Sequence, residues 1–192
     1  MKHSFWWKKA AVFAGVSGLA TGVANADITF SFSNQTWAGF TFSQVLAPGQ
    51  FALGTLTGVS VNATLNASTN YTYADDLTIY VDPLPLSTGG LLQVGGFSNL
   101  GAAQRLFWAN GGSSTPGTTV IDSKAVNPIT FSGTASDPAI WLGNGWNGTG
   151  ASGTWTGSIT LVGINAVPEP TSAGLLIAGS ALAVAGLRRR RD

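Results

Sequence analysis

Three aspartates, Asp75, Asp76 and Asp82, bracket the short apolar run Leu77-Thr78-Ile79-Tyr80-Val81. Adjacent carboxylates with loop carbonyls nearby could bind Ca²⁺, which takes about six to eight oxygen ligands. The spacing is not that of an EF-hand, and Asp82-Pro83 equally suits a strand terminator. Asp122 and Asp137 read as solvated turn residues. Paired carboxylates could also hydrolyse a glycosidic bond by flanking it, but no spacing here marks a pair. Tryptophan offers a different chemistry, because its face can stack on a sugar ring. Of Trp37, Trp108, Trp141, Trp146 and Trp155, Trp108 and Trp146 are the candidate sugar contacts. Trp141 and Trp155 are expected in the core, where the large ring buries most area.

Other chemistry is excluded by composition. The chain has no cysteine, and its one histidine is His3. The segment from Asp27 to Ala166 therefore lacks the base of a nucleophilic triad and the usual zinc ligands. It also has no disulfide chemistry. No enzyme is expected, and no cofactor beyond the calcium considered above. In this segment Arg105 and Lys124 face Asp27, Asp75, Asp76, Asp82, Asp122 and Asp137, so the charge is 2 − 6 = −4. A mildly acidic body with two cations has no electrostatic footprint for nucleic acid.

The elements that must position these residues are strands and turns. Glycine, serine, threonine, asparagine, valine and aromatics dominate, and helix-forming runs are missing. Ile28 to Phe32 alternates as a half-buried strand, and Trp37 to Phe42 continues it. Ala47 to Gln50 is a turn. Phe51 to Val61 reads as a strand with an irregularity at Gly58, followed by a polar alternation to Asn70. Leu77 to Val81 is the cleanest strand. Leu91 to Val94, Arg105 to Trp108, Thr118 to Ile121, Ile129 to Phe131, Ala139 to Leu142 and Gly153 to Ile164 follow, with Asn144-Gly145 as a turn signal. About nine short strands without an amphipathic helix predict an all-β sandwich, jelly-roll-like. Five N-x-S/T triplets begin at Asn34, Asn62, Asn66, Asn70 and Asn147. They suit a hydrated surface, glycosylated or not, and equally suit turn chemistry.

The two ends of the chain carry addresses. Lys2, Lys8 and Lys9 precede an apolar run from Ala10 to Ala20, and Ala24-Asn25-Ala26 has the A-x-A form of a cleavage site. Residues 1–26 thus read as a signal peptide for the Sec machinery and signal peptidase, with maturation at Asp27. At the other end, Val167-Pro168-Glu169-Pro170 cannot continue a helix or a ladder, because two prolines remove donors and fix φ. Thr171 to Leu187 is an uncharged apolar stretch of 17 residues. As a helix it would span roughly 25 Å, short of a hydrocarbon core of about 30 Å unless the arginine stems snorkel. Arg188, Arg189, Arg190 and Arg191 would stay cytoplasmic. The reading divides the chain into a signal peptide (1–26), an exported β-domain (27–166) and a tail (167–192). The tail comprises a motif (167–170), a transmembrane helix (171–187) and a basic end (188–192).

The order Pro-Glu-Pro, apolar span, arginine cluster resembles the PEP-CTERM sorting signal of Gram-negative bacteria. That resemblance implies an exosortase as processing partner and a transient inner-membrane intermediate. Delivery to the cell surface or extracellular matrix would follow, in bacteria that make exopolysaccharide, biofilm or floc. Asp75 to Val81 and Gly153 to Leu161 also resemble strands of the P-domain of proprotein convertases, which implies a sandwich and no active site. Two roles fit. One is a structural or adhesive matrix protein. The other is a carbohydrate-binding module for exopolysaccharide, calcium-dependent or not. A glycan hydrolase is a weaker third.

Overall fold

The computed structural model describes residues 27–47, 52–82 and 89–166. The signal-peptide reading (1–26) and the whole tail, including the motif at 167–170, lie outside the described residues. Within them the chain forms nine strands and one 3₁₀ turn. The strands are β1 (Ile28–Ala38), β2 (Phe42–Leu46), β3 (Ala52–Thr69), β4 (Leu77–Asp82), β5 (Leu92–Val94), β6 (Gln104–Leu106), β7 (Thr119–Ser132), β8 (Ala139–Asn144) and β9 (Ser152–Ala166). The 3₁₀ turn, Ala74–Asp76, immediately precedes β4. No helix among the described residues is long and apolar enough to cross a membrane.

Two sheets form a sandwich. One has the order β1-β9-β3-β7 and the other β2-β8-β4-β5-β6. All pairings are antiparallel except β5 with β6. Alternation explains which faces meet, since successive side chains point to opposite sides of a strand. In β3, Val59, Val61, Ala63 and Leu65 are buried while Asn62 and Asn66 are exposed. Leu77, Ile79 and Val81 of β4, Ile140 and Leu142 of β8, and Ile159 and Leu161 of β9 join them in one core. Each such side chain contributes roughly 1.5–3 kcal/mol when fully buried.

β4 is buried on both faces. Its outward Tyr80 lies under the segment after β4, where the Gly90 N–H donates to the phenol oxygen at 2.7 Å. Beside it, buried Gln93 accepts from Leu100 N at 3.0 Å and donates to Ser98 O at 2.8 Å. The cleanest strand in the sequence is thus buried along its whole length.

Two strands each join segments that the sequence reading kept apart. The polar alternation after Val61 continues the preceding strand, giving the 18 residues of β3 with register shifts at Leu56/Gly58 and Leu65/Ala67. The second shift turns Ala67 out of the alternating pattern, and it is exposed. Thr118–Ile121 and Ile129–Phe131 are two parts of β7, whose Pro128 is tolerated because β7 is an edge strand with an irregular register there. Asn144-Gly145 is not a hairpin turn. Asn144 is the buried last residue of β8, and the turn falls at Thr149-Gly150. Trp37–Phe42 is not one strand either, because the chain leaves one sheet at Ala38 and enters the other at Phe42.

The strand registers fix two poles. Thr69 pairs with Ser152, Leu77 with Asn144 and Val94 with Leu106, so the connections after β3, β5, β6 and β8 gather at one pole. Ala52 pairs with Ala166 at the other pole, where Asp27 Oδ1 also accepts from Gly163 N at 3.0 Å.

Trp155 is fully buried in the central strand β9, beside Trp37 at 5.9 Å between ring centroids. Gly153 has no side chain because the Trp155 ring lies over it, and any Cβ there would overlap the ring. Trp155→Ala is expected to destabilise the fold by about 3–5 kcal/mol, the range for removing a buried aromatic. A shift in urea midpoint of less than a third of that would show that the ring is not central to the core.

Candidate functional site

The gathered connections enclose a cleft of about 170 Å³ lined by Tyr71, Tyr73, Asp76, Phe97 and Trp146. A second lobe of about 80 Å³ shares Tyr73, Asp76 and Phe97 and extends to Phe107 and Trp108. Tyr71, Phe97 and Phe107 are 77%, 71% and 53% exposed, unusual for large apolar rings sharing one pole.

Local chemistry explains each placement. Tyr71 follows Asn70 in a turn where both adopt positive φ, +48° and +60°. For a bulky aromatic this conformation costs about 1–3 kcal/mol. The turn is braced by Asn70 Nδ2 donating to Thr149 O at 2.9 Å and by Trp146 Nε1 donating to Asn70 O at 3.0 Å. Trp146 is positioned further by its own N–H, which donates to Asn144 Oδ1 at 3.0 Å. Phe97 and Trp146 meet edge to face, with centroids 5.3 Å apart and planes at 80°. That contact needs two glycines. A Cβ on Gly96 would lie 2.8 Å from Gly145 Cα, and one on Gly145 would lie 2.7 Å from Gly96 Cα. With neither side chain present, the two loops close and bring the rings together.

Asp76 forms the floor. It is 4% exposed. Tyr73 N donates to Oδ2 at 2.8 Å and Phe97 N to Oδ1 at 3.1 Å, so one carboxylate fixes two aromatic residues by their backbones. Burial pushes its pKa up from 3.8 to about 6; the two N–H donors oppose the rise and the Asp75 charge adds to it. Asp75 is also raised by burial. Arg105 stands beside the second lobe with its guanidinium 4.5 Å from the Phe107 ring centre and donates to the carbonyl of Phe97.

The aspartates anticipated as a calcium site are not brought together. Asp75 and Asp76 sit in the 3₁₀ turn at one end of β4 and Asp82 at the other. Six strand residues separate the ends by roughly 20 Å, too far for one ion. Among the described residues no group of three His, Cys, Asp or Glu could hold a metal. Asp137 is not a solvated turn residue. It is buried, and its carboxylate accepts from the N–H groups of Ser132, Gly133 and Thr134. Asp122 lies within β7 and pairs with Lys124 at 2.9 Å.

Of the tryptophans, Trp146 lines the cleft as anticipated for a surface contact. Trp108 does not stand on the surface. It is 5% exposed and its indole nitrogen donates to Leu77 O at 2.7 Å, so its ring forms the inner wall of the second lobe. Trp155 is core, and Trp141 is half-buried outside the main cluster. Sequence reading missed Tyr71, Tyr73, Phe97 and Phe107. The glycines beside Phe97 and the Asn-Tyr pair at 70–71 were the available signals.

The tail is decided by comparison. The PEP-CTERM protein-sorting motif matches residues 166–191. The chain carries a PEP-CTERM sorting signal. It implies an exported protein, handled at the membrane by an exosortase and sorted to the cell surface. The matched segment begins at Ala166, the last residue of β9, so in this PEP-CTERM chain the sorting signal adjoins the folded body without a spacer. No curated protein and no solved structure matches the chain.

The raised carboxyl gives the PEP-CTERM chain a definite pH response. Asp76 holds its proton more tightly when folded than when unfolded. Its stabilising contribution is therefore complete below about pH 3.8 and is lost as pH rises through about 6. Asp75 acts in the same direction. In Asp122 and Asp137 burial raises the pKa, but hydrogen bonds outweigh it and leave both carboxyls low. Their contributions are lost below that window. Stability is expected to fall by up to roughly 3 kcal/mol between about pH 4 and pH 7, at about 1.36 kcal/mol per pKa unit. Asp76→Asn should flatten the slope. Urea midpoints rising over that interval would contradict the assignment.

Proposed function

We propose that the exported β-domain is a structural or adhesive component of an extracellular polysaccharide matrix, working by association and without turnover. The observation that carries this reading is the sorting motif directly following β9. An N-terminal signal peptide cleaved after Ala26 and an apolar anchor at 171–187 complete the route, through the Sec machinery, signal peptidase and then an exosortase. The strand orders β1-β9-β3-β7 and β2-β8-β4-β5 support assignment of the sandwich to the jelly-roll type, with β6 added at an edge. Lack of histidine and cysteine in residues 27–166 supports a role without catalysis.

Pro168→Ala and Glu169→Ala test the route. In the native host, the wild-type protein is expected at the surface or in the matrix with an intact mass lacking the tail, and both variants in the inner membrane. A wild-type protein that keeps its tail and fractionates like the variants would reduce the motif to a plain anchor and remove the main support for a matrix role.

A second reading, polysaccharide binding, is favoured by one observation: four exposed or half-exposed aromatic residues converge with a carboxylate at one pole. Stacking on a sugar ring uses such faces. Trp146→Ala should weaken retention on the host's exopolysaccharide by about tenfold, equivalent to about 1.4 kcal/mol. Unchanged retention would remove the cleft from this role.

A further inference from the structure

The cleft is chemically unbalanced. Its walls are the rings of Tyr71, Tyr73, Phe97 and Trp146, and its floor is one buried carboxylate. A neutral hexose presents several hydroxyls that need donors and acceptors in return. Here the polar groups in the walls are the two phenols, the Trp146 indole nitrogen and Asp76. The indole N–H is committed to Asn70 O, and each Asp76 oxygen already accepts a backbone N–H. What the cleft offers in quantity is π-electron density and one negative charge.

Those are the two requirements of an organic cation. Aromatic faces attract a cation through the ring quadrupole, and rings set at right angles build two walls of a cage around it. Phe97 and Trp146 meet at 80°. The protein uses the same attraction next door, where Arg105 lies 4.5 Å from the centre of Phe107. We propose that the cleft binds a substituted ammonium group, held by the four aromatic residues and neutralising Asp76. Under the polysaccharide reading above, on which only the source of the group rests, that ammonium is the free amine of an amino sugar unit.

Two further observations agree. A buried carboxylate without a counter-ion is costly, and among the described residues no cation pairs with Asp76. The ionisable groups around it are Asp75, which opposes its ionisation, and the phenols of Tyr71 and Tyr73. Arg105 lies behind Phe97 and donates to the Phe97 and Gly96 carbonyls. The loops 95–98 and 144–150 bring no ionisable side chain. The strained Tyr71, 77% exposed at φ +60°, has no core to fill. Its conformation sets a ring at the rim of the cleft at a cost to stability, a pattern found where binding requires it.

The test is calorimetric titration of the full chain in polyoxyethylene micelles, which carry neither sugar nor ammonium. The probes are a glucosamine tetramer, its N-acetylated counterpart, a neutral glucose tetramer and tetramethylammonium, at a pH just above the Asp76 transition. The expected result is at least about tenfold tighter binding of the glucosamine tetramer than of either neutral tetramer, with competition by tetramethylammonium. Tetramethylammonium does not titrate, so its binding should weaken as pH falls through about 6, following Asp76. Asp76→Asn should abolish the preference for the charged probes. Tyr71→Gly relieves the positive φ, so it should weaken binding while the urea midpoint holds or rises.

Equal affinity for charged and neutral tetramers, reduced in both by Trp146→Ala, would overturn the ammonium assignment and leave the polysaccharide reading standing. Binding of tetramethylammonium without the glucosamine tetramer would support the ammonium site and remove the amino sugar as its source. Absence of binding by all four probes would overturn the proposal, and retention of the protein on native exopolysaccharide would then show whether the broader reading survives.

Discussion

The hydrogen bond from the Trp155 indole to the carbonyl of Ala74, 3.2 Å long and fully buried, joins the two halves of this molecule. On one side of it is the centre of the four-stranded sheet, where β9 is paired along both edges. On the other is the 3₁₀ turn that carries Asp76. The ring cannot move, because Gly153 leaves it a slot of its own shape and Trp37 closes one side. The turn is therefore held by the core of the opposite sheet. A three-residue turn thus becomes a fixed floor, held also by Ala74 N and Asp75 N, which donate to Ser113 O and Gly111 O.

From that floor the rest of the pole is assembled by backbone bonds. The Asp76 carboxylate receives Tyr73 and Phe97, its carbonyl accepts from Gly145 N at 2.8 Å, and the Asp75 carbonyl accepts from Gly96 N at 2.9 Å. Ser98 N donates to Gly145 O at 2.8 Å, which ties the two glycine loops to each other. Two loops distant in sequence, around residues 96–98 and at Gly145, thus share one two-residue hub. The arrangement separates labour: backbone groups do most of the holding, and aromatic rings line the cleft above them. An ionised carboxylate suits this hub, since both of its oxygens accept and neither must donate.

The sandwich class was legible because period-two alternation is strong in Ile28–Phe32, Leu77–Val81 and Ser158–Val162. Strand lengths were not. Pro128 looks like a terminator, and it is absorbed by the same irregular register that Gly58 marks, beside a neighbouring strand that the sequence does not reveal. The sorting signal was legible because its three unlike features are contiguous. The cleft was half legible. Trp146 was marked by the glycine and asparagine around it, whereas Trp108 has similar neighbours and is buried, its indole N–H satisfied by Leu77 O. Whether a tryptophan faces water depends on what segments distant in sequence bring to it, here the start of β4. Asp75 and Asp76 were singled out for metal chemistry, which assumed that Asp82 would return to them. A strand runs straight, and it carried Asp82 away.

The two poles give the body a direction. The cleft lies where β9 begins, and the sorting signal lies where β9 ends. Its 15 residues separate them by roughly 45 Å. A tether at the C-terminal end of β9 would leave the aromatic pole at the far end of that strand. The central strand acts as a mast. The distance from the cleft to the end of β9 is set by the sheet itself, so whatever meets that pole is met a full strand length from the start of the sorting signal.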